Sequence, residues 1–202
     1  MAAPARTFIT PEEYLAGERA SDTKSEYFRG EVFAMGGASR EHNLIALNTG
    51  SVLRAQLRGK PCKAYVADMR VKVSASGLYT YPDVTVACGE PQFEDANFDI
   101  LLNPTLVIEV LSESTEAHDR GNKFAQYRCI ESLQEYVLIS QDRCRVERFV
   151  RQPNGREWLY SEWSDPADAI ELGAIGCRLS LVEVYERVEF PERPVEARSG
   201  PR

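Results

Sequence analysis

The chain has no CxxC pair, and its five cysteines, at positions 62, 88, 129, 144 and 177, are odd in number. That argues against both a zinc-ribbon site and a disulfide framework. Several of them sit in apolar strand-like runs, where a free cysteine behaves as a small hydrophobe, so all five are expected to be structural thiols. Long hydrophobic runs are also missing, and nothing approaches the ~20 residues a helix needs to span a bilayer. The opening stretch, MAAPARTFITPEEY, lacks the continuous apolar region of a signal peptide, and the expected location is the cytoplasm. Positive charge is in short supply, with 24 Lys and Arg against 31 Asp and Glu and a net charge of −7. A nonspecific binder of polyanions needs clustered Lys and Arg, and an acidic whole resists the approach of nucleic acid. If the substrate is DNA, a local basic surface has to overcome the global field.

What is present is ordinary for a soluble globular chain: 202 residues, 43% hydrophobic and 27% charged. That length suffices for one compact domain. One domain is expected over 1–190, with 191–202, rich in Pro, Arg and Glu, as a disordered tail. Thr10-Pro11-Glu12-Glu13 combines a cap, a first-position proline and a box glutamate, and predicts a short helix to about Gly17. Two β-rich runs flank Arg29-Gly30, a hairpin signature. Ser39 opens a second helix reaching about Arg58, with Leu44, Ile45, Leu47, Val52, Leu53 and Leu57 on its apolar face.

Strands are expected at Cys62 to Ala67, Arg70 to Ser74 and Asp83 to Cys88, then, after loop-like sequence from Glu90 to Asn103, at Thr105 to Leu111. The last run is almost wholly apolar, as a strand covered on both faces is. A third helix is expected over Glu116 to Ile130, followed by strands at Glu135 to Ser140, Arg145 to Val150 and Glu157 to Trp163. This order predicts a mixed α/β domain, an α+β mixed sheet with an N-terminal helix and β-hairpin.

Three places carry chemistry. Glu109 is the only charged group in the apolar run Thr105-Leu106-Val107-Ile108-Glu109-Val110-Leu111. A buried carboxylate is costly unless it is paired or binds a metal, and both readings stand at this point. Asp83, in Tyr81-Pro82-Asp83-Val84-Thr85-Val86, begins a β-branched strand. Alone it reads as a turn or strand-start aspartate; together with Glu109 it makes a pair of carboxylates that can converge on one hard cation. Asp119, Lys123 and Tyr127, spaced i, i+4 and i+8, share a helix face. They form either a solvated salt-bridge face over a packed tyrosine or part of a site.

These residues and their spacing resemble the PD-(D/E)xK nuclease superfamily, and within it the Uma-two family, a branch grouped with the restriction endonucleases. The likeness rests on Pro82-Asp83 and on Ile108-Glu109-Val110-Leu111-Ser112-Glu113-Ser114-Thr115 followed by Asp119-Arg120-Gly121-Asn122-Lys123 and Tyr127. Leu133-Gln134-Glu135-Tyr136-Val137 and the early Glu26, Gly30-Glu31, Met35 and His42 add to it. It extends from about Pro11 to Phe149. The resemblance implies a restriction-endonuclease-like core, magnesium or manganese as cofactor, and cleavage of phosphodiesters in DNA. Analogy with restriction enzymes implies a homodimer.

Carried over residue by residue, Asp83 and Glu109 become metal ligands and Lys123 the catalytic cation. Glu31 matches an early glutamate that approaches the metal in the family; its bland reading is a surface carboxylate of the hairpin. The superfamily lysine normally lies two residues after the glutamate, and here that position is Leu111, a change that the Uma-two branch shares. His42 is a candidate supporting residue or a surface histidine. Tyr127 either touches a phosphate or packs in the core. Ser112, Ser114 and Thr115 serve as caps and turns. Arg143, Arg145, Arg148 and Arg151 are candidates for a DNA-facing surface, against the plainer reading of a solvated strand.

Overall fold

A computed structural model describes residues 8–191. Apart from Pro191, the tail expected over 191–202 lies outside the described residues. Helix α1 (Pro11–Ala20) begins with the expected reciprocal cap: the Glu13 N–H donates to Thr10 Oγ1 at 3.2 Å, and the Thr10 N–H donates to Glu13 Oε2 at 2.8 Å. The helix outruns its expected stop at Gly17 because tertiary partners hold its last turn. Glu18 Oε1 accepts from the Ser25 N–H and from the Tyr81 hydroxyl, both at 2.8 Å. The hairpin of β1 (Ser25–Phe28) and β2 (Glu31–Ala34) turns at Arg29 and Gly30, with φ of 49° and 89°. Positive φ at both central residues is what a type I′ turn requires. Helix α2 (Arg40–Gln56) is capped by Ser39, whose Oγ accepts from the His42 N–H at 3.0 Å.

The strands β3 (Cys62–Val66), β4 (Arg70–Val73), β6 (Val84–Cys88), β8 (Leu106–Leu111), β9 (Glu135–Ser140), β10 (Val146–Arg151) and β11 (Trp158–Trp163) fall within a residue or so of their expected positions. The short strands β5 (Leu78–Thr80), β7 (Ile100–Leu101), β12 (Ala169–Leu172) and β13 (Cys177–Ser180), and the single turn α5 (Leu181–Val184), were not legible from the pattern. Among the described residues one sheet runs β2-β1-β5-β4-β7 and a second β11-β10-β9-β8-β6-β3, with β12-β13 as a separate ribbon. The β8–β9 and β4–β7 pairs are parallel and the other pairs antiparallel, so the sheets are mixed as expected.

Every residue of β8 is buried, and side-chain alternation gives each face a purpose. Leu106, Ile108 and Val110 pack with Ile45 and Leu53 of α2. Val107 and Leu111 pack in a second cluster with Tyr127, Tyr136 and Leu138. Glu109 shares this second face, so its carboxylate projects toward the crossover segment that joins β8 to β9.

That crossover departs from the single helix expected over Glu116 to Ile130. It is a short α3 (Glu116–His118), a π turn (Asp119–Lys123) and α4 (Phe124–Tyr127). The Phe124 N–H reaches back five residues to the Asp119 carbonyl. Gly121, mid-turn, lowers the cost of leaving regular helix geometry, and π turns occur frequently at functional sites.

The cysteine expectation is corrected. Cys62 and Cys88 stand opposite each other in the antiparallel β3–β6 register and form a disulfide. Spacing along the chain cannot reveal this pairing, because the register of the two strands brings together cysteines 26 positions apart. Cys177 is buried and Cys144 half-buried, as expected of structural thiols, whereas Cys129 is exposed.

Candidate active site

The β6–β8 register, Val84 opposite Ile108, brings Asp83 to the Glu109 end of β8. Asp83 is tied there on both oxygens. Its Oδ2 accepts from the Val110 N–H at 2.7 Å, and its Oδ1 meets His42 Nε2 at 2.8 Å. The histidine proposed as a supporting residue therefore reaches Asp83 directly from the first turn of α2.

Glu109 is 3% exposed and Lys123 8%. Lys123 Nζ lies 3.3 Å from Glu109 Oε1, 3.0 Å from Glu26 Oε1 and 3.6 Å from Asp119 Oδ1. Tyr127 is fully buried and donates its hydroxyl proton to Glu109 Oε1 at 2.8 Å. Asp119, Lys123 and Tyr127 thus face one site as their spacing suggested, and the solvated-face alternative does not hold. The Asp119 backbone carbonyl accepts from the Tyr136 hydroxyl at 3.1 Å, which pins the π turn to β9.

The acidic residue that the hairpin contributes to the Lys123 contacts is Glu26 of β1, not the singled-out Glu31, which opens β2 opposite Phe28. Glu26 also accepts from the Thr80 hydroxyl. The available signal was an acidic residue within an otherwise aromatic strand, Ser25-Glu26-Tyr27-Phe28, but a strand of four residues on the N-terminal hairpin gives no hint that it packs beside β8.

The electrostatics follow from crowding. Burial pushes the Glu109 carboxyl above the usual carboxylate range; Lys123 opposes that rise, and Asp119, Asp83 and Glu26 reinforce it. Burial likewise raises Asp119, again against Lys123. Burial alone would strip the proton from Lys123, but Glu109, Glu26 and Asp119 outweigh it and hold the ammonium charged.

Among the described residues no group of three or more His, Cys, Asp or Glu side chains is gathered as a metal cage. A cage is not what magnesium requires. It commonly binds through one or two carboxylates and keeps several waters, so Asp83 and Glu109 suit it as hard oxygen donors. Asp119 Oδ1, buried and without a hydrogen bond, has the Lys123 ammonium at 3.6 Å and adds a further carboxylate oxygen beside the pair. The donor set fits a hard divalent cation.

The four arginines in and just before β10 are engaged within the fold. Arg145 binds Glu147 and Glu162 at 3.0 and 2.9 Å, and Arg143 approaches Glu116 at 3.7 Å. Arg148 donates to the Glu171 carbonyl and stacks over Trp163. Arg151 donates to the carbonyls of Leu133, Arg128, Ile130 and Gly155. The DNA-facing reading of this strand gives way to a structural one.

A crystal structure titled as a "putative nuclease" from Anabaena variabilis shares the fold, with a TM-score of 0.70 at 20% identity, over 88% of this chain and 97% of that one. The chain belongs to the Uma2 family, described as "Putative restriction endonuclease", which it matches over residues 11–181. Two uncharacterized Synechocystis proteins are also similar. One is 34% identical over 90% of this chain and 94% of its own length; the other is 39% identical over 76% and 86%. No helix among the described residues is long and apolar enough to cross a membrane.

Proposed function

We propose that this protein is a divalent-metal-dependent endodeoxyribonuclease that hydrolyses phosphodiester bonds. Asp83 and Glu109 would hold magnesium or manganese, and Lys123 is the catalytic cation. The observation that carries the reading is the Lys123 ammonium 3.3 Å from Glu109, supplied by the crossover segment where the strand position, Leu111, has no charge to offer. When bound, the metal activates water and stabilises charge on the phosphodiester. Asp83 is held in place by Val110 and His42, so its carboxylate needs no reorganisation. The carboxylates around Lys123 keep it protonated, which suits a group that stabilises phosphate charge and not one that removes a proton from water. Tyr127 orients the Glu109 carboxylate from beneath. Cutting both strands takes two such sites, so the reading carries a homodimer with it, by analogy with restriction enzymes.

The test is plasmid nicking and linearisation with magnesium or manganese, comparing the parent with Asp83→Ala and Glu109→Ala. Both variants should fold and lose metal-dependent cleavage; cleavage that survives in both sinks the assignment. A second reading, a catalytically retired nuclease-fold module that binds a protein or nucleic-acid partner, is favoured by the net charge of −7 and by the internal use of the strand arginines. A manganese titration separates the two, because a retired site would bind the ion poorly.

A further inference from the structure

The side chains that touch Lys123 come from two different sheets. Glu109 lies on β8 of the six-stranded sheet, and Glu26 lies on β1 of the five-stranded sheet. An ammonium has three protons to donate. Here three carboxylates surround it, with Glu26 nearest at 3.0 Å, then Glu109 at 3.3 Å and Asp119 at 3.6 Å. Two hydroxyls complete the arrangement: Tyr127 donates to Glu109 and Thr80 donates to Glu26. With those protons so placed, the 3.4 Å approach of Thr80 Oγ1 to the Tyr127 hydroxyl has no donor of its own and is a packing contact. Each of the two nearest carboxylates is thereby fixed by its own hydroxyl.

These two carboxylates have unequal tasks under the reading proposed above, on which this inference rests. Glu109 is committed to the metal, and a carboxylate that turns its charge to a divalent ion attracts the ammonium less. Asp119 is the most distant of the three and makes no hydrogen bond through its Oδ1. Glu26 is not one of the proposed metal ligands, and its hydrogen-bonding and ion-pair partners are Lys123 and Thr80.

We propose that Glu26, steadied by Thr80, is the positioning residue for Lys123, holding the ammonium in place once Glu109 serves the metal. The N-terminal hairpin then has a task in catalysis: it delivers the anchor for the cation that replaces the missing strand lysine. Glu26 acts through Lys123 and touches neither metal nor substrate.

Glu26→Gln keeps the shape and the acceptor for Thr80 but removes the charge. Its effect is read three ways. In NMR of the lysine side-chain ammonium groups, Lys123 is assigned by its loss in Lys123→Arg. Glu26→Gln should shift or broaden that signal, and more strongly after magnesium is added. Manganese affinity should stay within about threefold of the parent, whereas losing a ligand or its support typically costs about tenfold or more. Cleavage should fall about tenfold to a hundredfold in kcat, as expected for a lost charged hydrogen bond, with KM nearly unchanged. In a Lys123→Ala background Glu26→Gln should cost nothing further. Glu26→Asp, which keeps the charge on a shorter stem, should recover part of the rate.

An unmoved Lys123 signal, a large loss of manganese affinity, or an equal loss of cleavage with and without Lys123 would each overturn the proposal. If the parent cleaves no DNA with either metal, the nuclease reading fails, and the Lys123 signal in Glu26→Gln still decides whether Glu26 anchors the lysine.

Discussion

Removing the Lys123 charge should destabilise the metal-free protein, and a divalent cation should return much of what is lost. In Lys123→Ala the buried carboxylates of Glu109 and Asp119, 3% exposed each, lose their shared counter-ion, and Glu26 loses its ion-pair partner. Breaking a buried pair by removing one member costs about 3–5 kcal/mol. At about 2–4 °C per kcal/mol for a domain of this size, that is a fall in Tm of roughly 6–20 °C. Lys123→Met fills most of the volume without the charge, so a similar fall in both variants assigns the loss to electrostatics and not to a cavity. An ion at a hundred times its Kd should stabilise the fold by about 2.7 kcal/mol, and the gain should exceed that of the parent because the ion meets no competing ammonium.

The assay is differential scanning calorimetry with and without magnesium, run beside plasmid cleavage. Cleavage should be lost even where Tm is restored, because the ion replaces the missing charge but not the group that faces the phosphate. Adding Leu111→Lys to Lys123→Ala returns an ammonium from the same face of β8 as Glu109 and should recover part of both stability and cleavage. The recovery is bounded by the loss of a leucine that is 3% exposed, about 2 kcal/mol of burial. A metal-free Tm for Lys123→Ala equal to that of the parent would refute the reasoning, since it would mean that the carboxylates do not depend on Lys123.

Three further outcomes are expected. Reducing Cys62–Cys88, or replacing either residue by Ser, should cost about 3–4 kcal/mol for a loop closed over 26 residues, read as a lower Tm in reductant; an unchanged Tm would show that the bridge contributes nothing. Glu135, buried by the fold and bonded at Oε1 to the Ala174 N–H, has its carboxyl raised by burial, so the folded state holds a proton that the unfolded chain releases. Stability tied to Glu135 is therefore full at acid pH and declines as pH rises above the unfolded value. Glu135→Gln should melt higher than the parent near neutrality and no higher at about pH 4, and a constant gap across pH would contradict this. DNA affinity should be weak and fall steeply with salt, given the net charge of −7; tight, salt-indifferent binding in a gel-shift series would point to a different partner.

The parts of the fold read correctly from sequence are those in which one local force dominates. The cap at Thr10, the turn at Arg29-Gly30 and the apolar run of β8 each carry their own signal. The short strands β5 and β7 carry none, because two or three residues are too few for a period and only pairing with neighbouring strands, β1 and β4 for β5 and β4 for β7, defines them. The crossover helix was legible in position but not in form. The extra residue of the π turn is set by anchoring from outside, through the Tyr136 hydroxyl on the Asp119 carbonyl. Likewise Glu109 was legible as a candidate through its oddity in an apolar run, whereas Asp83 and Lys123 became candidates through their pairing with it and through the family resemblance. Glu26 was legible only as part of the family pattern, because the packing of one sheet against another is what sets it beside Lys123.

A charged residue inside a core strand leaves two explanations open, and the balance of charge weighs between them. A structural ion pair closes at one cation per carboxylate, and apolar residues of similar volume would often hold the fold as well or better. Around Lys123 the count does not close. Glu26, Glu109 and Asp119 all approach one ammonium, and Asp83 adds its field to Glu109 from the neighbouring strand. His42 answers Asp83 alone. Burial, with this surplus of charge adding to it, raises the Glu109 and Asp119 carboxyls, at a cost to the folded state. Perturbed groups gathered in this way are a mark of functional sites. A species carrying more positive charge than a lysine would relieve the surplus, and a hard divalent cation is one that takes carboxylate oxygens. The crowding of carboxylates about Lys123 therefore supports a working metal site over a retired one, since a site released from that demand would be free to lose its surplus charge.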